Sequence, residues 1–212
     1  MQKKGITIGG YGMPGCGKTS VTKAIGQILG AETFQEPEEE YWPWAVTERH
    51  ISGQFSSIMW FRAMRAAILY KAKHIADQGG IGIIDSYYDK LFIHLMDEPG
   101  FEWLIKKDEP YYDIVKQIAI RDYELLPDLD YLIYFELDKE IWLRNLEKRN
   151  RKTLDSEAAF LETFKTQPLY RKAAETYCAQ NNCQLIVQKQ AYGMSSPETT
   201  AQELIIKMGL GN

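Results

Sequence analysis

Residues Gly12-Met13-Pro14-Gly15-Cys16-Gly17-Lys18-Thr19 fit the pattern GxxxxGK[ST], in which glycines and a proline precede a Lys-Thr pair. A loop that wraps its backbone N–H groups around phosphate oxygens has no room for side chains on its inner curve, which accounts for the glycines. Lys18 has the charge and length to reach the β and γ phosphates. The Thr19 hydroxyl suits the magnesium that bridges them, and Ser20 opens a helix whose positive end faces the same anion. The apolar run "GITIGG" precedes the loop and helix-forming residues follow it, so the motif has the strand–loop–helix context it requires. Residues 12–20 are therefore expected to hold a nucleoside triphosphate with Mg2+. ATP is taken as the donor, although these residues do not themselves separate ATP from GTP.

Such a loop needs a sheet behind it. The short apolar runs "GITIGG", "AETFQE", "GIGIIDS", "DYLIYFEL" and "CQLIV" alternate with longer helical patterns. This is the rhythm of an α/β protein with a central parallel sheet between helical layers. Helical spacing marks Ser20 to Leu29 and Phe55 to Ala76, and Lys139 to Asn150 is amphipathic and rich in both charges. Ser195-Ser196-Pro197-Glu198 reads as the cap and first turn of a last helix. Pro168 interrupts the helical run 157–181, which is expected to kink or divide near Gln167. Met96 to Tyr112, with Pro99, Gly100 and Pro110, reads as an insertion, and the polar, basic stretch near 144–156 as a lid.

The chain has 212 residues, 45% hydrophobic and 25% charged, which suits a single domain spanning 1–212. A formal net charge of −4 and a pI of about 5.5 disfavour nucleic acid and anionic membranes as partners. No run is long enough for a signal h-region or a membrane span, so a cytoplasmic location is expected. Three cysteines without a CxxC pair argue against a disulfide framework or zinc site.

A phosphate loop does not by itself choose a reaction. The guanine-reading NKxD is absent, and the DxxG at Asp77-Gln78-Gly79-Gly80 lies where a helix stops before a strand, which argues against a switch GTPase. In order after the loop come "FQEPEEEYW", "GIIDSYYDK" and "RNLEKRNRKTLD". With these the chain resembles the deoxynucleoside kinase and thymidylate kinase superfamily from about Ile6 to Ile186. The resemblance implies a three-layer α/β/α kinase fold with an Arg-rich lid, and often a homodimer. It carries the role of general base for the acceptor hydroxyl onto Glu36, and that of a magnesium ligand, beside Thr19, onto Asp85. Closure over the triphosphate falls to Arg144, Arg149 and Arg151, the last two acting on the transferring phosphate. The family usually has Arg after the acidic strand end. Here that position is Ser86, a lost cation that Lys90, Arg62 or Arg65 would have to replace.

Acceptor recognition is less sharply written. Tyr41, Trp42, Trp44, Phe55, Tyr87 and Tyr88 offer rings for stacking a base, and Gln54 an amide for its edge; Tyr41, Gln54 and Tyr87 are taken as substrate contacts, whereas Trp60 and Phe61 read as packing. The leading expectation is transfer of the γ-phosphoryl group of ATP to a (deoxy)nucleoside hydroxyl. Two alternatives stand beside it: a thymidylate-type nucleoside monophosphate kinase, and a nucleotide-binding regulatory module with impaired transfer.

Overall fold

The computed structural model describes residues 5–141, 164–190 and 196–211. Five strands, β1 (Ile6–Tyr11), β2 (Glu32–Phe34), β3 (Ile81–Ile84), β4 (Tyr131–Leu137) and β5 (Gln184–Gln190), form one sheet in the order β2-β3-β1-β4-β5, with every neighbouring pair parallel. All five lie where the apolar runs predict them. Strands covered on both faces lose the polar alternation of a half-exposed sheet, and Leu132, Ile133, Tyr134 and Phe135 of β4 are consecutive and fully buried.

The complete helices among the described residues are α1 (Lys18–Leu29), the short α2 (Trp44–Thr47) and α3 (Arg49–Ser52), α4 (Gln54–Asp77), α5 (Tyr112–Leu125), α6 (Gln167–Gln180) and α7 (Pro197–Lys207). Their layering follows from strand parity, because successive residues point to opposite faces. A Cβ on Gly10 would meet Thr22 of α1, whereas one on Gly9 would meet Tyr87, whose hydroxyl donates to Tyr177 of α6 at 2.9 Å. Gly82 shares the Gly9 side and backs onto Ala72 of α4. α4 and α6 thus cover one face, and α1, packed on α7, covers the other.

Two expected helix boundaries have clear causes. α6 begins at Gln167 with Pro168 in its first turn, where the missing N–H costs nothing, so the proline starts a helix. The Ser196 hydroxyl accepts the Thr199 N–H at 3.3 Å and caps α7, with Pro197 next. Residues 139–141 begin a helix as expected; the rest of that stretch and the expected lid, with Arg144, Arg149 and Arg151, lie outside the described residues.

The segment read as an insertion is anchored. Phe101 joins the main core, and Met96 and Ile105 pack with Tyr112, Val115 and Ala119 of α5 against Ile58 and Met59 of α4. Asp97, at a φ of 70°, accepts hydrogen bonds from Tyr112 and Lys116. This second cluster fixes α5 beside α4 and so builds the far wall of the cleft described next.

Candidate active site

The carboxyl ends of β1, β2 and β3 open into a cavity of about 760 Å³, where ligands bind in open parallel sheets. β1 delivers the loop 12–17, which turns into α1 through left-handed glycines. Gly12 has a φ of 143°, and a Cβ there would stand 2.7 Å from the Phe135 carbonyl oxygen of β4. Gly17 caps α1 at a φ of 83°. Pro14, Gly15, Cys16, Gly17, Thr19 and Ser20 line the cavity. Met13 does not, its side chain being fully buried in the core, and Gly12 lies behind the loop, offering its carbonyl.

Lys18 is buried, and its ammonium donates to Gly12 O at 2.9 Å and Met13 O at 3.0 Å. It also lies 5.4 Å from the ring centre of Tyr88, whose hydroxyl donates to the same Gly12 carbonyl. The Thr19 hydroxyl donates to Asp85 Oδ2 at 2.8 Å, and the Glu36 backbone N–H to Asp85 Oδ1 at 3.1 Å. Asp85 at the end of β3 thus ties the phosphate loop to the residue after β2. Burial, then the nearby Glu36 charge, raises the Asp85 pKa from its ordinary value, against the hydrogen bonds from Thr19 and Glu36 and the charge of Lys18.

Arg65 of α4 completes this cluster. Its Nε and NH2 grip both oxygens of Asp89 at 2.8 and 3.1 Å, and NH1 donates to Glu36 Oε1 at 3.1 Å. Burial works against its charge, but the Asp89 and Glu36 carboxylates outweigh it and raise its pKa, so the guanidinium stays protonated. One turn back, Arg62 forms a two-point pair with Asp122 of α5, both bonds 2.5 Å long. Between these pairs and the outer rim the wall is apolar and aromatic, with Ile58, Phe61, Phe92 and Leu104, and Trp42 set edge-on to Phe61 at 5.1 Å.

Among solved structures, the chain matches a deoxyadenosine kinase from M. mycoides with bound dATP over 96% of its own length and 100% of that chain, with a TM-score of 0.70 and 19% identity. The fold is that of a P-loop kinase. A thymidylate kinase from Candida albicans matches over 98% of this chain and 93% of its own, with a TM-score of 0.59 at 17% identity. A shikimate kinase from Acinetobacter baumannii in complex with shikimate matches with a TM-score of 0.51 at 13% identity, covering 98% of this chain and 95% of that one. No protein-family model matches the sequence, and no curated protein sequence matches it significantly.

On this P-loop kinase fold, Lys18, Thr19, Glu36, Asp85 and Gln54 all line the one cavity. Two expected acceptor contacts do not. Tyr87 is buried on the α6 side, its hydroxyl donating to the Tyr177 hydroxyl and lying 3.1 Å from the Pro127 carbonyl oxygen, because after β3 adjacent residues face opposite ways; its neighbour Tyr88 takes the cavity. Tyr41 is 69% exposed in a short 3-10 turn and stands off the cavity wall. Phe61, read as packing, lines it. Of the three cations offered in place of the missing arginine, Lys90 is excluded: buried, it pairs with Asp128 at 2.5 Å away from the cavity.

Asp89 and Asp122 escaped the sequence reading. Asp89 follows Asp85 at the fourth position, where the run past β3 has no periodicity to orient it. Asp122 lies on α5, whose inward face reads Tyr112, Val115, Ala119, Asp122, and a charge on an otherwise apolar face was the signal available. Among the described residues, no group of three or more His, Cys, Asp or Glu forms a metal cluster, and no helix is long and apolar enough to cross a membrane.

Proposed function

We propose that the protein transfers the γ-phosphoryl group of ATP to the hydroxyl of a (deoxy)nucleoside. The observation that carries this reading is the chain of contacts Thr19–Asp85–Glu36 along one cavity wall, which sets a carboxylate beside the phosphate loop at the mouth of an aromatic cleft. In this reading the loop amides and Lys18 hold the β and γ phosphates. The acceptor oxygen bonds to the γ-phosphorus as the bridging bond to ADP breaks, the electron pair leaving with ADP, while Glu36 takes the acceptor proton. Positioning and charge neutralisation supply most of the rate.

Thr19 Oγ1 and Asp85 Oδ2 are hard oxygen donors of the kind magnesium takes at nucleotide sites, where one or two protein oxygens suffice beside phosphates and waters. Bound there, the ion would neutralise phosphate charge. Trp42, Phe61 and Phe92 offer planar surface for a base, with Gln54 within the same lining. Arg144, Arg149 and Arg151 keep their proposed role over the triphosphate.

A monophosphate acceptor needs cations that are not already engaged, and two of the three arginines lining the cleft are committed to carboxylates, Arg65 to Asp89 and Glu36 and Arg62 to Asp122, while the third, Arg49, donates to the Val46 carbonyl at 3.2 Å. This favours the neutral nucleoside over the thymidylate-type alternative. The test is a panel of nucleosides and matching monophosphates assayed for acceptor-dependent ADP release. Nucleosides should be preferred by kcat/KM, and Glu36→Gln should cut kcat roughly 10²-fold or more with ATP binding kept. Faster turnover of the monophosphates, or an undiminished rate in the Gln variant, would refute it. A protein that binds ATP but shows no acceptor-dependent ADP release with any member of the panel would be the regulatory module instead.

A further inference from the structure

We propose that Arg65, delivered from α4, is the positioning residue that holds the Glu36 carboxylate toward the acceptor hydroxyl. The proposal rests on the kinase reading above and adds a residue to it. Position 86 supplies no cation, and its serine is buried. The geometry separates the three cations that could serve. Lys90 is spent on Asp128, and Arg62 meets Asp122 through both of its bonding nitrogens, so Arg65 alone among the three reaches Glu36.

Its placement is rigid for a long side chain. Two nitrogens are fixed by Asp89, and the guanidinium carbon lies 5.5 Å from the ring centre of Phe61 and 5.6 Å from that of Tyr88. These contacts remove most of the rotamer freedom that an arginine otherwise loses on binding and leave NH1 aimed at Oε1. Glu36 is then held at two points, its backbone N–H by Asp85 and its carboxylate by Arg65. With Oε1 engaged, Oε2 takes the acceptor proton. A base that must meet a hydroxyl within about 3 Å gains from such fixing, because misplacement of about 1 Å can cost 10²-fold in rate.

The roles are separable by a double-mutant cycle with ATP and the preferred nucleoside, reading kcat from ADP release and ATP Kd from equilibrium binding. Arg65→Met should lower kcat roughly 10- to 100-fold with ATP Kd changed less than about threefold, and Arg65→Lys, which keeps a cation but not the fork, should recover part of the loss. In a Glu36→Gln background, Arg65→Met should cost less than about threefold, because the two residues act as a unit. Equal losses in both backgrounds would overturn the proposal, as would a kcat within twofold of wild type in Arg65→Met. If Arg65→Met does not fold, Arg65→Lys enters the same cycle, and equal losses in its two backgrounds would overturn the proposal in the same way. A wild-type protein that binds ATP and phosphorylates no acceptor defeats the kinase reading and the proposal with it, whereas an active wild type indifferent to Arg65 defeats the proposal alone.

Discussion

Gly12→Ala should damage this protein more than any alanine substitution at an open glycine, by an amount that can be worked from the backbone. A φ of 143° costs a residue with a Cβ about 1–3 kcal/mol. The Cβ would also stand 2.7 Å from the Phe135 carbonyl oxygen, which belongs to β4 and cannot rotate aside, adding about 1–3 kcal/mol of overpacking. Taking about 4 kcal/mol in all, and about 2–4 °C per kcal/mol for a domain of this size, the Tm should fall by roughly 8–16 °C. Gly30 is the control: its φ is 61° and nothing lies within 4 Å of an added Cβ, so Gly30→Ala should cost about 1 kcal/mol, roughly 2–4 °C. Thermal unfolding followed by circular dichroism measures both. The backbone shift would also move the Gly12 carbonyl that Lys18 and Tyr88 share, so weaker ATP binding should accompany the loss. If Gly12→Ala lowers the Tm no more than Gly30→Ala, the close approach of loop and β4 is not rigid and the reasoning fails.

Lys18→Ala should abolish acceptor-dependent ADP release while keeping a cooperative melt, since the side chain meets only loop carbonyls, the Cys16 sulfur and the Tyr88 ring; near-normal turnover would remove the loop from the chemistry. Asp85→Asn should raise the magnesium concentration needed for half-maximal activity, and an unchanged titration would make Asp85 structural. The same variant has a signature in pH. The folded-state pKa of Asp85 lies above its unfolded value, so its contribution to stability is full below about pH 4 and is lost as pH rises through the folded pKa. The Tm difference, Asn variant minus wild type, should therefore become more positive from acid toward neutral, and a flat difference would contradict the shift. Tyr87→Phe should cost about 1 kcal/mol by deleting its bond to Tyr177 and its contact with the Pro127 carbonyl, with acceptor KM unchanged; a raised KM would return Tyr87 to the site.

The strands could be read because burial on both faces of a parallel sheet leaves continuous apolar runs, and the phosphate loop because its glycines answer a backbone demand that no other residue meets. α5 could not. Its buried face is interrupted by Asp122, and it follows directly on the stretch Met96 to Tyr112, which reads as an insertion. Inside the site, residues on the loop and at strand ends were found because their place in the chain fixes their place in space. The sequence reading takes Tyr87 as the contact where Tyr88 lines the cleft, since one residue of parity beyond a strand end decides which faces it, and composition is blind to parity. The Arg65–Glu36 contact joins positions 29 residues apart on different elements, a pairing set only when α4 packs on β3.

The two carbonyls that Lys18 touches give nucleotide binding the character of an exchange. An arriving phosphate does not meet a solvated ammonium; it must displace Gly12 O and Met13 O, so the affinity measured is the difference between two sets of ligands for one cation. Part of the attraction is thereby cancelled at the outset, and the same cancellation works in reverse when product leaves, since the loop can reclaim its lysine as the phosphate withdraws. On the proposed kinase reading, such an arrangement would trade tightness of grip for speed of release and so would suit the shedding of ADP after every turn.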